Sequence, residues 1–329
     1  MELEPHSLVK LHLEYRAIST SAEKAKMAVS SATLGLQYHV RSISLPSRLH
    51  PHSIKIEAEL NKLKSWEAST TTVPLTAETI RIGLVGLAEL YTYVEELIHS
   101  PQTQQSLFQP QHGVLVEEAL EGSASLLDSC GAARDLILLM KEHVQELQSA
   151  LRRKGGDSSI ESNINAYTCF RKIMKKEISK CLRALKQMEN RTSSSPLLDA
   201  DHYLSVVIRI LTEVTAITIS VLRTFLLFFS ASALKTKSGG WSLISKLMLT
   251  RSATSKTSEK IFNDAESVDL ALQSLHGCFR SHDAKVDVQM ARRRLQALDG
   301  SIETLEAGLD CLFRCLVQNR VSLLNILVD

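Results

Sequence analysis

Aromatic side chains are scarce in this 329-residue sequence, at 5%, and so are turn formers, with 13 glycines and 7 prolines. That scarcity argues against a many-stranded β fold, which needs turn residues at short intervals. Nor is there an excess of one charge. Lys and Arg number 38 against 36 Asp and Glu, a formal +2 that is too near neutral for a dedicated nucleic-acid binder. The six cysteines (Cys130, Cys169, Cys181, Cys278, Cys311 and Cys315) include no CxxC pair. Cys311 and Cys315 lie four apart on one face of an expected helix, two ligands short of a zinc site. All six therefore read as buried thiols of a reducing compartment.

Motifs that carry chemistry are missing too. The sequence has no glycine-rich phosphate loop ending in Lys-Ser/Thr, no HExxH, no GxSxG and no dinucleotide fingerprint. Two histidines flanking a proline, His50-Pro51-His52, point apart and have no third ligand, so they read as surface groups. The pairs Glu95-Glu96 and Glu117-Glu118 fall on expected helices, where solvated faces explain them. Neither an enzyme, a cofactor nor a metal is expected. The start, Met1-Glu2-Leu3-Glu4, is acidic and unlike a secretory signal. From Lys24 to Ile56 there is no acidic residue but much Ser and Arg, a composition that resembles a transit peptide. A basic, poorly ordered leader is the favoured account. A cytoplasmic protein is expected, with a plastid location as the alternative.

What the chain has is helical periodicity. It predicts an all-α fold, an elongated antiparallel bundle of long helices spanning residues 49–329 after a disordered basic arm over 1–48. Pro51 opens a helix carrying Ile56, Leu60 and Leu63 to about Trp66, followed by a polar loop from Ser69 to Pro74. Thr76 caps the next helix, with a stripe of Ile80, Leu84, Leu87, Tyr91, Val94 and Ile98, and Ser100-Pro101 stops it. A helical region from about Gly113 to Lys154 has Gly122 and Gly131 as points where it is expected to kink or break. Further helices are expected over about 159–190, 201–234, 262–281 and 286 to the end. Val214 to Leu234 is long enough to span a bilayer, but Arg223 near its middle costs about 2.5–3.5 kcal/mol on insertion scales. A buried central helix with Arg223 at the bundle edge is the favoured reading.

Three features stand out as functional candidates. In the last helix Leu295, Leu298, Ile302, Leu305, Leu309, Leu312, Leu316, Asn319, Leu323 and Ile326 alternate steps of three and four, the a/d seam of coiled-coil packing. Asn319 is its sole polar member. A self-dimerising coil and a seam inside the chain's own bundle both use this pattern, and the wealth of other amphipathic helices favours the bundle. In the arm, Arg41, Ser44 and Pro46 have the form read by phosphoserine-binding adaptors of the 14-3-3 class. Phosphorylation would put about −1.5 to −2 charge and three acceptor oxygens on Ser44, which an Arg cluster binds. The third feature is a basic loop at 235–260. Six basic residues and no acidic one lie between Val214 and Ser258, and Lys235, Lys237, Trp241, Leu243, Ile244, Lys246 and Leu247 there make a short amphipathic stretch suited to an anionic membrane surface.

Long blocks of the chain resemble a known family. "HVRSISLPSRLHPHSIKIEAELNKLKSW" (39–66), "GLAELYTYVEELIHSPQTQQSL" (86–107), "LLDSCGAARDLILLMKEHVQELQSALRR" (126–153), "WSLISKLM" (241–248) and "LEAGLDCLFRCLVQNRVSLLNIL" (305–327) are similar to the plant-specific Bypass-like family, domain-of-unknown-function family 241. The resemblance implies a plant protein with a role in root and shoot development, and brings no catalytic residues with it. Residues 1–26 depart from the family's pattern, so Met27 is expected to be the natural start or the first segment to be dispensable.

The expected function is therefore a non-enzymatic regulatory or scaffold protein working through protein contacts. A peripheral membrane protein that uses the basic loop is the alternative. The membrane reading makes a direct prediction. Purified protein floats with anionic liposomes at low salt, and Trp241→Ala combined with Lys246→Glu abolishes flotation. Absence of flotation at low salt contradicts it.

Overall fold

In a computed structural model, residues 51–72, 74–107, 113–153, 157–192, 202–231, 263–278 and 284–328 are described. Among these residues every regular element is a helix, as the periodicity predicts: α1 Pro51–Thr70, α2 Ala77–Ile98, α3 Pro101–Leu107, α4 Gly113–Arg152, α5 Asp157–Thr192, α6 His202–Ser230, α7 Asp264–Cys278 and α8 Ala284–Val328. The forty residues of α4 and forty-five of α8 make rods of about 60 and 68 Å at the α-helical rise.

Most helix ends follow local chemistry. Thr76 caps α2 as expected, its hydroxyl accepting from the Thr79 amide at 3.1 Å. Three expectations need correction. The polar residues after Trp66 do not all form a loop, because α1 runs on to Thr70. The hydroxyls of Ser69, Thr70, Thr71 and Thr72 donate back to the carbonyls of Trp66, Glu67, Ala68 and Ser69 at 2.6–3.0 Å, which satisfies acceptors a helix end leaves open. Ser100-Pro101 ends α2 but also starts α3, with Pro101 as its first residue and the Ser100 hydroxyl accepting from the Thr103 amide at 3.3 Å. Gly122 and Gly131 do not interrupt α4. Its inward face from Val116 to Leu151 is buried along the whole length, and that packing overrides two weak helix formers.

The packing is a ring. Helices α2 and α4 each contact both α6 and α8, α1 lies against α2 and α6, α5 against α4 and α6, and α7 against α8 and α5. Successive long helices run antiparallel, and so do α4 and α8: Arg134 meets Asp310, Lys141 meets Glu306, and the Gln148 side chain donates to the Leu295 carbonyl. Two neighbouring pairs are parallel instead. Leu84 and Glu95 of α2 meet Gly308 and Gln318 of α8, and Glu57, Lys64 and Glu67 of α1 meet Arg209, Glu213 and Ser220 of α6.

Helix α6 is the one described helix long and apolar enough to cross a membrane. Here it is a core helix, and between Tyr203 and Ala231 only Arg209 and Ala216 are exposed. Arg223 reaches the edge, as expected, and pairs with Glu189 of α5 at 2.6 Å.

Glycine sets how closely α2 is held on two sides. A β-carbon on Gly83 would sit 2.5 Å from the Trp66 ring of α1, and one on Gly308 of α8 would sit 2.9 Å from Leu84. The indole is fixed by its Nε1, which donates to the Thr79 carbonyl at 2.7 Å. Gly83→Ala is therefore expected to lose about 1–2 kcal/mol, overpacking outweighing the gain in helix propensity. Gly300→Ala, where a β-carbon meets nothing within 4 Å, is expected to gain up to about 1 kcal/mol. Urea denaturation of both variants checks this, and a Gly83→Ala protein as stable as wild type contradicts the close contact.

Candidate functional site

The heptad residues are all in α8 and all turned inward. The nine apolar members are at most 6% exposed and Asn319 is 8% exposed. The seam is thus an internal one, against α2 and α4: Cys130 of α4 lies 4.0 Å from the Leu309 carbonyl, and Leu84 of α2 packs on Gly308. The phosphoserine motif (Arg41, Ser44, Pro46) and the basic segment (Lys235, Lys237, Trp241, Leu243, Ile244, Lys246, Leu247) lie outside the described residues. Their junctions with the helical body do not.

One such junction is built on a residue the sequence patterns did not flag. Arg171 of α5 is 2% exposed. Its guanidinium pairs with Asp269 of α7 at 3.2 and 3.3 Å, and also donates to the carbonyls of Phe229 at 2.7 Å and Ala231 at 2.9 Å. Those carbonyls belong to the end of α6, where a cation opposes the helix dipole and fills open acceptors. Desolvation works against the charge, but Tyr167 and Asp269 outweigh it, and the guanidinium pKa is raised above its ordinary value. Burial and the same guanidinium lower the pKa of nearby Lys175. Asn263 completes the junction. Its Oδ1 accepts from the Glu266 amide at 2.8 Å as the cap of α7, while its Nδ2 donates to the Phe228 carbonyl at 3.0 Å. Ala231 and Asn263 are therefore both held at one fixed point of the helical body.

At the other end of the ring, the helices part around a cleft of about 720 Å³. Its walls are mostly apolar, with Leu115 and Leu126 of α4, Met188 of α5, Leu211 of α6, and Leu316 and Leu323 of α8. Arg191 and Glu121, paired at 2.9 Å and both well exposed, stand at its rim. Asn319, the polar member of the heptad, lines the cleft, and its side-chain Nδ2 has no hydrogen-bond partner.

The other singled-out groups are structural. His52 pairs with Glu96 at 2.9 Å and joins α1 to α2. Glu95 accepts from Gln318 at 3.2 Å and from Ser322, joining α2 to α8. This carboxylate pair is therefore not merely a solvated face. The cysteines also need correction: of the five described as free thiols, Cys130 is buried, Cys181, Cys311 and Cys315 are half-buried, and Cys169 is exposed on the outward face of α5. The hydrogen bond between Cys311 and Cys315 brings Cys311 down to about 7 and pushes Cys315 well above the usual thiol range, while burial pushes Cys130 up to about 12. No group of three His, Cys, Asp or Glu side chains among the described residues is placed to hold a metal ion.

A family model described as Protein BPS1 covers residues 83–326, from the first turns of α2 to the last of α8. No curated protein and no solved structure matches the chain.

The junction is testable on its own. Arg171→Met takes the guanidinium away from the buried Asp269 carboxylate and from the Phe229 and Ala231 carbonyls, and is expected to cost about 3–5 kcal/mol in urea denaturation. Arg171→Lys is expected to recover only part of this, because an ammonium lacks the planar fork that serves a carboxylate and two carbonyls together. A loss below about 1 kcal/mol for Arg171→Met contradicts the role.

Proposed function

The chain belongs to the BPS1 family, a membership that implies a role in plant development, and from that premise we propose that it acts without enzymatic chemistry, as a cytoplasmic regulatory scaffold in root and shoot development that works through protein contacts. The observation that supports this most is how the charged side chains of the helical body are used. Arg171 with Asp269, Arg134 with Asp310, Lys141 with Glu306, Arg223 with Glu189 and His52 with Glu96 each join one helix to another. Groups fixed in this way hold a shape; general acid–base work needs them free to face a substrate.

Partner recognition is assigned to the arm. Arg41, Ser44 and Pro46 form the element that a phosphoserine-binding adaptor of the 14-3-3 class would read once Ser44 is phosphorylated. Affinity purification from plant cells, wild type beside Ser44→Ala, tests this. The adaptor is expected in the wild-type eluate and absent from the mutant's. Identical partner lists remove the arm from the account.

A second reading, peripheral attachment to anionic membranes through residues 235–260, is favoured by the junction at Arg171 and Asn263. Ala231 and Asn263, the described residues on either side of it in sequence, are held at one point of the body, which supports a reading in which the Trp and Lys side chains between them act as a unit.

A further inference from the structure

The α8 seam is spent inside the body, so pairing of the chain with a second copy must use another surface. The outward faces of α4 and α5 supply one. From Asp128 to Glu146 the exposed charged side chains of α4 are Asp128, Asp135, Glu142 and Glu146, all acidic. From Lys172 to Lys186 those of α5 are Lys172, Lys176, Lys180, Arg183 and Lys186, all basic. Steps of seven and four, and of four and three, keep each set on one side of its helix. Two large apolar side chains stand beside the charges, Leu139 at 46% exposed and Ile173 at 58%. Where α4 packs on α5, the rings of His143 and Phe170 meet at 4.1 Å. Leu139 is one turn from His143 and Ile173 one turn from Phe170, so both flank the outer groove between the two helices.

These charges are not used within the chain. Asp128, Asp135, Glu142, Lys172, Lys176 and Lys186 make no ion pair among the described residues. Lys180 and Glu146 pair inside their own helices, with Glu177 and His143. An anionic membrane or a nucleic acid would gain from the α5 stripe and be repelled by the α4 stripe alongside it. The fitting partner carries both signs side by side, and this face is itself such a surface.

The register for self-pairing is already set. Ser129 lies 3.9 Å from Met188, and His143 lies on Phe170. Along this antiparallel pair, to within about one turn, Asp128 is therefore level with Lys186, Asp135 with Lys180, Leu139 with Ile173 and Glu142 with Lys172. A two-fold axis parallel to the helices and midway between them leaves every residue at its own height while exchanging the two columns. It sets α4 of one copy on α5 of the other, with acid facing base along both columns and Leu139 against Ile173 near the axis.

We propose that this face is the interface of a homodimer, with the α4 stripe of each copy docked on the α5 stripe of the other. At the helical rise the patch from Asp128 to Glu146 is about 27 Å long, and two helix columns make it about 20 Å wide. The area over both copies is roughly 1,100 Å², near the lower bound for specific interfaces, so the dimer forms in the micromolar range and weakens with salt. Two copies carry two arms and two basic segments, which multiplies whatever contact either makes.

Sedimentation velocity of the full-length chain tests this. Wild type is expected to dimerise in low salt and to bind itself about tenfold or more weakly in high salt. Asp135→Lys with Glu142→Lys sets base on base at the centre of the interface, and Lys172→Glu with Lys180→Glu sets acid on acid. Each double variant alone is expected to be monomeric at concentrations where wild type is dimeric, with circular dichroism confirming the helical fold. Mixed together they are expected to form a one-to-one dimer, because a basic α4 then meets an acidic α5 and the other column is wild type. A variant that had merely lost its fold could not be rescued in this way. A monomeric wild type, a dimer retained by either variant, or a mixture that stays monomeric overturns the proposal.

Discussion

The buried guanidinium of Arg171 is the constraint from which the arrangement of the last three helices follows. Three groups compete for it and all three are satisfied: the Asp269 carboxylate of α7 and the Phe229 and Ala231 carbonyls that end α6. A charge this deep is tolerated only when paired and hydrogen-bonded throughout, so each partner fixes the others. Helix α7 is thereby held against α5, and Ser301 of α8 reaches back to Asp264 at 2.7 Å. Without that fixed point, Ala231 and Asn263 would have no common anchor on the body.

Elsewhere in the bundle, packing sets how closely the helices approach. Gly83 and Gly308 let α2 lie close to Trp66 on one side and Leu84 approach α8 on the other. Further along α8, Asn319 takes the place of a seam leucine, and α4 turns small residues inward. The helices that close tightly around the glycines therefore leave a cleft at Asn319. One helix, α8, takes part in both: its middle seals the core and its last turns line the open space.

Much of this was legible in the sequence because helical periodicity reports burial directly. The ten-residue heptad of α8, the Thr76 cap and the edge position of Arg223 in an apolar helix were all readable from spacing and residue type. What periodicity does not report is the identity of a partner. Arg171 sits among the basic residues of α5 (Lys172, Lys175 and Lys176) and looks like one more member of a solvated face. Its i−4 neighbour Tyr167 and i+3 neighbour Met174, both buried, were the available signal that it faces inward. The cleft was hidden for a related reason: Gly122 reads as a weak helix position when only propensity is weighed, and as an opening only once α6 and α8 lie opposite. Glu95 and Glu96 read as solvated in the sequence because their partners, Gln318 and His52, are remote along the chain.

Hydrogen exchange read by mass spectrometry tests the central claim that a buried charge fixes the end of α6 and the start of α7. A terminal helical turn beside a long connecting segment would ordinarily fray and exchange quickly. If the Arg171 junction holds, amides in 225–231 and 266–272 exchange as slowly as those of the α4–α8 seam around Leu136 and Leu309. Exchange of these two stretches in the fast class, with the seam still protected, would contradict it.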